Sequence, residues 1–168
     1  MKKILIGVLL FVAVSTPAFA SDLYVGIKTG TALHWIDATR FQESVRATGL
    51  FVGYTINPNV AVEVEAVNLG SVAYTTATVG AVGVSILGLH HANEQVSLFA
   101  KLGVASTKED VSGTVANHTG VSFGAGGQYD VSKSIGVRLA YDYYRYGGEN
   151  GLSLASASLY SIAALFKF

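Results

Sequence analysis

Near the C-terminal end of the chain, Tyr160, Ile162, Ala164, Phe166 and Phe168 form an unbroken apolar row at every second position. The intervening row, Leu159, Ser161, Ala163, Leu165 and Lys167, is mixed and mostly small or polar. A period of two is the mark of a β-strand with two unlike faces. This strand runs to the last residue, and a strand edge without a partner invites aggregation. A closed barrel removes that edge by pairing the last strand with the first. The tail is therefore expected to pair with residues 23–30.

Seven further segments alternate in the same way. Their apolar rows are Leu23, Val25 and Ile27; Leu50, Val52, Tyr54 and Ile56; Val60, Val62, Val64 and Ala66; and Val82, Val84 and Ile86. They continue as Val96, Leu98, Ala100, Leu102 and Val104; Val121, Phe123, Ala125 and Tyr129; and Ile135, Val137, Leu139, Tyr141 and Tyr143. The connections at 57–59, 91–94 and 130–134 are short. Those at 31–43, 70–76, 106–119 and 147–151 are mostly longer and rich in Gly, Thr and charge. Short turns at one end and long loops at the other predict an all-β, eight-stranded antiparallel up-and-down transmembrane β-barrel, with both termini in the periplasm.

Composition supports a membrane barrel over a soluble domain. Hydrophobic residues make up 51% of the 168 residues and charged ones only 13%, about half the usual charged share. Past residue 20 no apolar run approaches the ~18 residues of a membrane helix. Residues 1–20 have the form of a signal peptide: Met1-Lys2-Lys3, an apolar run over residues 4–14, and Ala18-Phe19-Ala20. That leaves residues 21–168 as the outer-membrane barrel domain. Without residues 1–20 the chain has nine basic and eleven acidic residues, and no basic stripe points to nucleic acid. The sequence contains no cysteine, so disulfides play no part. No cofactor is implied.

The charged residues sort onto one side of the pattern. Lys28, Glu63, Glu65, Lys101, Arg138 and Asp142 all fall on the rows opposite the apolar ones. If the apolar rows face lipid, these three cations and three anions line the lumen. Enclosed charges must pair or cost several kcal/mol each, and equal numbers of each sign allow a paired network. Arg46 and Arg145 stand on the outward rows at the far end. They are either residues of loops or contacts to phosphates of outer-leaflet lipopolysaccharide, a chemistry that suits arginine. Tyr54, Tyr129, Phe166 and Phe168 at one end, and Tyr141, Tyr143 and Tyr160 at the other, fit two aromatic girdles.

The chain resembles the small eight-stranded outer-membrane β-barrel family that includes the OmpA transmembrane domain and the OmpX–Ail group. The resemblance covers residues 21–168 and rests on the signal peptide, residues 60–70 (VAVEVEAVNLG), residues 98–105 (LFAKLGVA) and the terminal aromatic strand. It implies insertion into outer-membrane lipid by the barrel-assembly machinery, with Tyr160, Phe166 and Phe168 as the assembly signal and Phe168 as its terminal residue. It does not extend to the peptidoglycan-binding domain that follows the barrel in OmpA proteins. The first expectation is a non-enzymatic structural barrel of the cell outer membrane. The second is an Ail-like surface adhesin or host-defence factor, using Trp35 and the Lys108-Glu109-Asp110 loop on a host or surface ligand. The third is a lipid-modifying enzyme. Its histidine candidates are His34, His90, His91 and His118, and none has a nucleophile placed beside it by spacing.

Overall fold

In a computed structural model the described residues are 22–36, 41–72, 77–111, 114–145 and 154–168. The expected signal peptide and the 147–151 connection lie outside them. Eight strands follow in order: β1 (Leu23–Ile36), β2 (Phe41–Asn57), β3 (Val60–Val72), β4 (Ala77–His91), β5 (Val96–Val111), β6 (Thr114–Asp130), β7 (Ile135–Arg145) and β8 (Leu154–Lys167). Each pairs antiparallel with the next, and β8 pairs with β1, so the sheet closes on itself. The closing ladder runs from Tyr24 opposite Lys167 through Lys28 opposite Ala163 to Thr31 opposite Tyr160.

Closure satisfies the backbone of every strand without help from solvent, which hydrocarbon requires. Alternation then divides the side chains. Ile27, Val64, Ile86, Leu102, Leu139 and Ile162 point outward and are half or more exposed, whereas Glu63, Glu65, Leu87 and Leu165 point inward and are buried. The fourth strand follows the register expected of it, with Val82, Val84 and Ile86 outward.

The strands run longer than the apolar pattern implies. β2 and β6 each contain 17 residues and β5 contains 16, against the ~9–11 needed to cross a bilayer. The extra residues lie at the end away from the termini, which corrects two of the long connections. The ladder of β1 and β2 continues to Ile36 opposite Phe41, and that of β5 and β6 to Val111 opposite Thr114. Trp35, Lys108, Glu109, Asp110 and His118 therefore belong to strands and not to loops. Thr, Ser and charge there mimic loop composition because past the apolar belt the outward rows turn polar (Thr31, Arg46, Ser106, Lys108), while the buried inward positions carry small residues such as Ala32, Ala47 and Ala105.

At the end with the termini the connections are tight. Asn57 Oδ1 accepts a hydrogen bond from Asn59 N (2.9 Å), and Asn93 Oδ1 accepts from the backbone of Gln95 and Val96. At the far end β3 carries a bulge between Asn68 and Gly70. Gly70 has φ +90°, a left-handed conformation that favours glycine, and its N–H is held by Asn68 Oδ1 at 2.9 Å.

Candidate functional site

The interior is stacked in three layers. Tyr24, Phe51, Ala61, Leu87, Phe99, Ala163 and Leu165 fill the end near the termini. Ala32, Leu69, Val79, Ala157 and Leu159 are among those filling the far half. Between them lies the charged layer, and the structure brings all six sequence candidates into it. Lys28, Glu65, Lys101 and Asp142 form a closed ring of alternating sign. Lys28 Nζ lies 2.7 Å from Glu65 Oε2 and 3.1 Å from Asp142 Oδ2; Lys101 Nζ lies 3.0 Å from Glu65 Oε2 and 2.9 Å from Asp142 Oδ1. The sixfold set is completed by Arg138, whose Nη1 donates to Glu63 Oε1.

Small residues on intervening strands make these contacts possible. Lys28 on β1 sits between Gly49 on β2 and Ala163 on β8, so its side chain passes over both to reach β3 and β7. Lys101 on β5 reaches Asp142 on β7 across Gly124, which is the ladder partner of both. A Cβ at Gly124 would lie 3.0 Å from Lys101 Cε and closer still to the Asp142 carboxylate.

Three polar side chains that the sequence reading left out of the cluster complete it. Tyr24 Oη donates to Glu63 Oε1 at 2.7 Å, Tyr144 Oη donates to Glu65 Oε1 at 2.9 Å, and Gln128 Oε1 accepts from Arg138 Nη2 at 3.0 Å. The Arg138 guanidinium also lies 4.7 Å from the ring centre of Phe99 and 5.0 Å from that of Phe51. Their shared signal was row parity: Tyr24, Gln128 and Tyr144 occupy the lumen rows with the charges. The cavity left within the network is ≈ 10 Å³, room for one water at most.

The other candidates are dispersed. His34 is buried in the far half, its Nε2 2.9 Å from the Leu69 carbonyl oxygen. His91 Nε2 lies 2.7 Å from the Pro58 carbonyl oxygen and its Nδ1 lies 2.8 Å from Ser97 Oγ. That serine contact was invisible in sequence because it forms across the β4–β5 ladder, where His91 faces Ser97. It ties two neighbouring turns together around a buried hydroxyl. His90 is exposed and His118 half-buried. Among the described residues no three His, Cys, Asp or Glu side chains are grouped to hold a metal ion. Arg46 lies within β2 and Arg145 ends β7, and both are exposed on outward rows. Tyr160, Phe166 and Phe168 are exposed on the outward row of β8 and just beyond it, and Phe168 N donates to the Leu23 carbonyl oxygen at 3.1 Å.

A closed antiparallel sheet with an apolar exterior and a charged, filled interior defines a small membrane β-barrel. The family comparison agrees: the model of the outer membrane protein beta-barrel domain matches residues 6–168, and the chain belongs to that family. No curated protein sequence matches it significantly. Among solved structures, neisserial surface protein A aligns with TM-score 0.68 at 19% identity, over 87% of this chain and 97% of that one. The N-terminal β-barrel domain of Pseudomonas aeruginosa OprF aligns at 0.62 and 14% identity, over 86% and 97%. Ail, the attachment invasion locus protein of Yersinia pestis, solved in complex with the heparin analogue sucrose octasulfate, aligns at 0.58 and 18% identity, over 88% and 99%.

Proposed function

We propose that the protein is a non-enzymatic, integral barrel of the outer membrane with a structural and surface role, exported by residues 1–20 and inserted with both termini in the periplasm. The observation that carries this reading is the sealed charge ring inside a closed sheet with an apolar exterior. A polar interior filled by its own paired side chains anchors the barrel and leaves no aqueous path, and eight strands enclose only enough space for side chains. The projecting far ends of the strands then stand outside the cell. Membrane fractionation with a heat-modifiability gel tests the placement. The folded chain should sediment with the outer membrane and change mobility on boiling; recovery as a soluble periplasmic protein would overturn it. In planar bilayers the barrel should not reach the conductance of a general porin.

Two partner assignments accompany this reading. Tyr160, Phe166 and above all Phe168 form the signal for the barrel-assembly machinery, supported by the exposure of all three on the outward row and by the bond that holds Phe168 in register against β1. Arg46 and Arg145 contact phosphates of the outer-leaflet lipid, supported by their exposure just past the apolar rows of β2 and β7.

A second reading, surface adhesion, is favoured by one feature: Trp35 is 44% exposed on the outward row of β1, far from the termini. An exposed indole on a rigid strand suits a host or surface ligand. The fold shared with Ail makes sucrose octasulfate a reasonable probe. Wild-type retention on it that Trp35→Ala abolishes would support adhesion, and no retention would count against this ligand class.

A further inference from the structure

The outward surface changes character around the barrel where the apolar rows end. On β7 and β8 they end in tyrosines: Tyr143 stacks on Phe123 with ring centres 4.8 Å apart, and Tyr141 meets Tyr160 at 5.1 Å. On β2 to β5 they end in small and polar residues. Leu50 gives way to Thr48 and Arg46, Ala66 to Asn68, Val82 to Gly80 and Thr78, and Val104 to Ser106 and Lys108. With no large side chain at Gly80, whose nearest neighbour to an added Cβ is 3.8 Å away, this side has a groove of ≈ 960 Å³.

The groove is amphipathic along the barrel axis. Its half toward the termini is lined by Ile27, Leu50, Ala66 and Val82, and its far half by Asn68, Thr78, Ser106, Lys108 and Asn117. Lys108 pairs across the ladder with Gly80 on one side and Asn117 on the other, so its ammonium borders the hollow. Arg46, two residues beyond Thr48, stands three strands away on the opposite border, about 14 Å along the sheet at ~4.8 Å per strand. The bulge at Asn68 and Gly70 bends β3 at this place, and bulges gather where a strand is re-aimed beside a functional surface.

The geometry points to a seat for a phosphorylated glycolipid of the outer leaflet on the β2–β5 side, with its acyl chains in the apolar half and its sugar phosphates between Lys108 and Arg46. This rests on the membrane placement proposed above and adds a defined site to it. The occupant must be amphipathic, because the groove is. Its head must be anionic, because two cations border it, and rich in hydroxyls, because Ser106, Asn117 and the amide nitrogen of Asn68 offer donors and acceptors that a bare acyl lipid leaves unmatched. An aromatic belt gives generic anchoring at the interface, whereas a hollow flanked by cations discriminates.

The test uses the folded full-length barrel in phosphatidylcholine nanodiscs doped with lipid A or its dephosphorylated form, with bound lipid counted by native mass spectrometry. The wild type should retain lipid A and not the dephosphorylated form. Lys108→Gln should weaken retention about tenfold, the scale of one charge-assisted hydrogen bond. Gly80→Leu, which fills the hollow without changing charge, should do the same. Lys133→Gln, which removes an exposed cation from the turn at the opposite end, should leave retention unchanged. Equal retention of both lipids, wild-type retention by Lys108→Gln and Gly80→Leu, or equal loss in Lys133→Gln would overturn the seat while leaving the membrane barrel intact. Displacement of lipid A by millimolar inorganic phosphate would also overturn it, because the phosphate would then bind without the lipid. A chain that fails to insert, read by its unshifted mobility on the heat-modifiability gel, would refute the membrane reading and the seat together.

Discussion

The two faces of β3 carry opposite chemistry on alternate residues. Glu63 and Glu65 point inward at 3% exposure, while Val64 between them is 53% exposed on the outside. In a soluble protein the assignment would be reversed. The difference shows that what selects a residue for a face is the medium it meets. The outer face meets hydrocarbon, where a charge is costly, and the inner face meets other side chains that can pair it. Polarity inside and apolarity outside therefore stabilise the same fold, but by different means. The exterior contributes many interchangeable contacts, whereas the interior depends on a few exact partners.

Breaking the interior should have the larger effect. Glu65→Gln removes one of the two carboxylates that Lys28 and Lys101 share and leaves two buried cations on Asp142 alone; it should cost about 3–5 kcal/mol, the usual loss when a buried pair loses one member. Urea unfolding of the barrel in lipid vesicles measures it. Replacing the entire ring at once, Lys28→Met, Glu65→Leu, Lys101→Met and Asp142→Leu, should destabilise less than Glu65→Gln alone, since no charge is left unpaired. A quadruple variant weaker than the single one would show that the ring stabilises through more than mutual pairing.

The exterior comes next in size. Val84→Arg places a charge in the middle of the outward apolar row and should cost about 2–4 kcal/mol in the same assay, whereas Thr78→Arg near the far end of the same strand should cost no more than about 1 kcal/mol. Equal costs would mean that the outward face does not meet lipid. Gly124→Ala should cost about 1–3 kcal/mol by crowding Lys101 and Asp142. Phe168→Ala should change the stability of the assembled barrel by no more than about 0.5 kcal/mol, as a surface substitution does, yet lower the fraction that assembles in cells. Equal assembly of both forms, measured by heat modifiability, would remove Phe168 from the assembly signal.

Strand order and face assignment were legible in the sequence because period two is local: each row from Leu23 to Phe168 declares its own two faces. The far ends of β1, β2, β5 and β6 were not, because past the apolar belt the outward rows turn polar while small or polar residues such as Ala105 and Thr107 stay buried inside, so that residues such as Ser106, Thr107 and Lys108 resemble a loop. The six lumen charges could be placed on the inner side by parity alone. Their partners could not, because Lys101 meets Asp142 only after Gly124 opens the space between their strands, and Tyr24 and Tyr144 look like ordinary strand aromatics until their hydroxyls reach Glu63 and Glu65. The His91–Ser97 contact and the groove beside Gly80 were hidden for the same reason.

By itself the sequence determined the class of sheet, its inside and its outside, because alternation needs only neighbouring residues and a difference in polarity between two media. The tertiary structure alone decided which charges form a ring and which side of the barrel is hollow. Both depend on register across strands far apart in the chain, and register is set jointly by closure, bulges and the shapes of the residues packed between them.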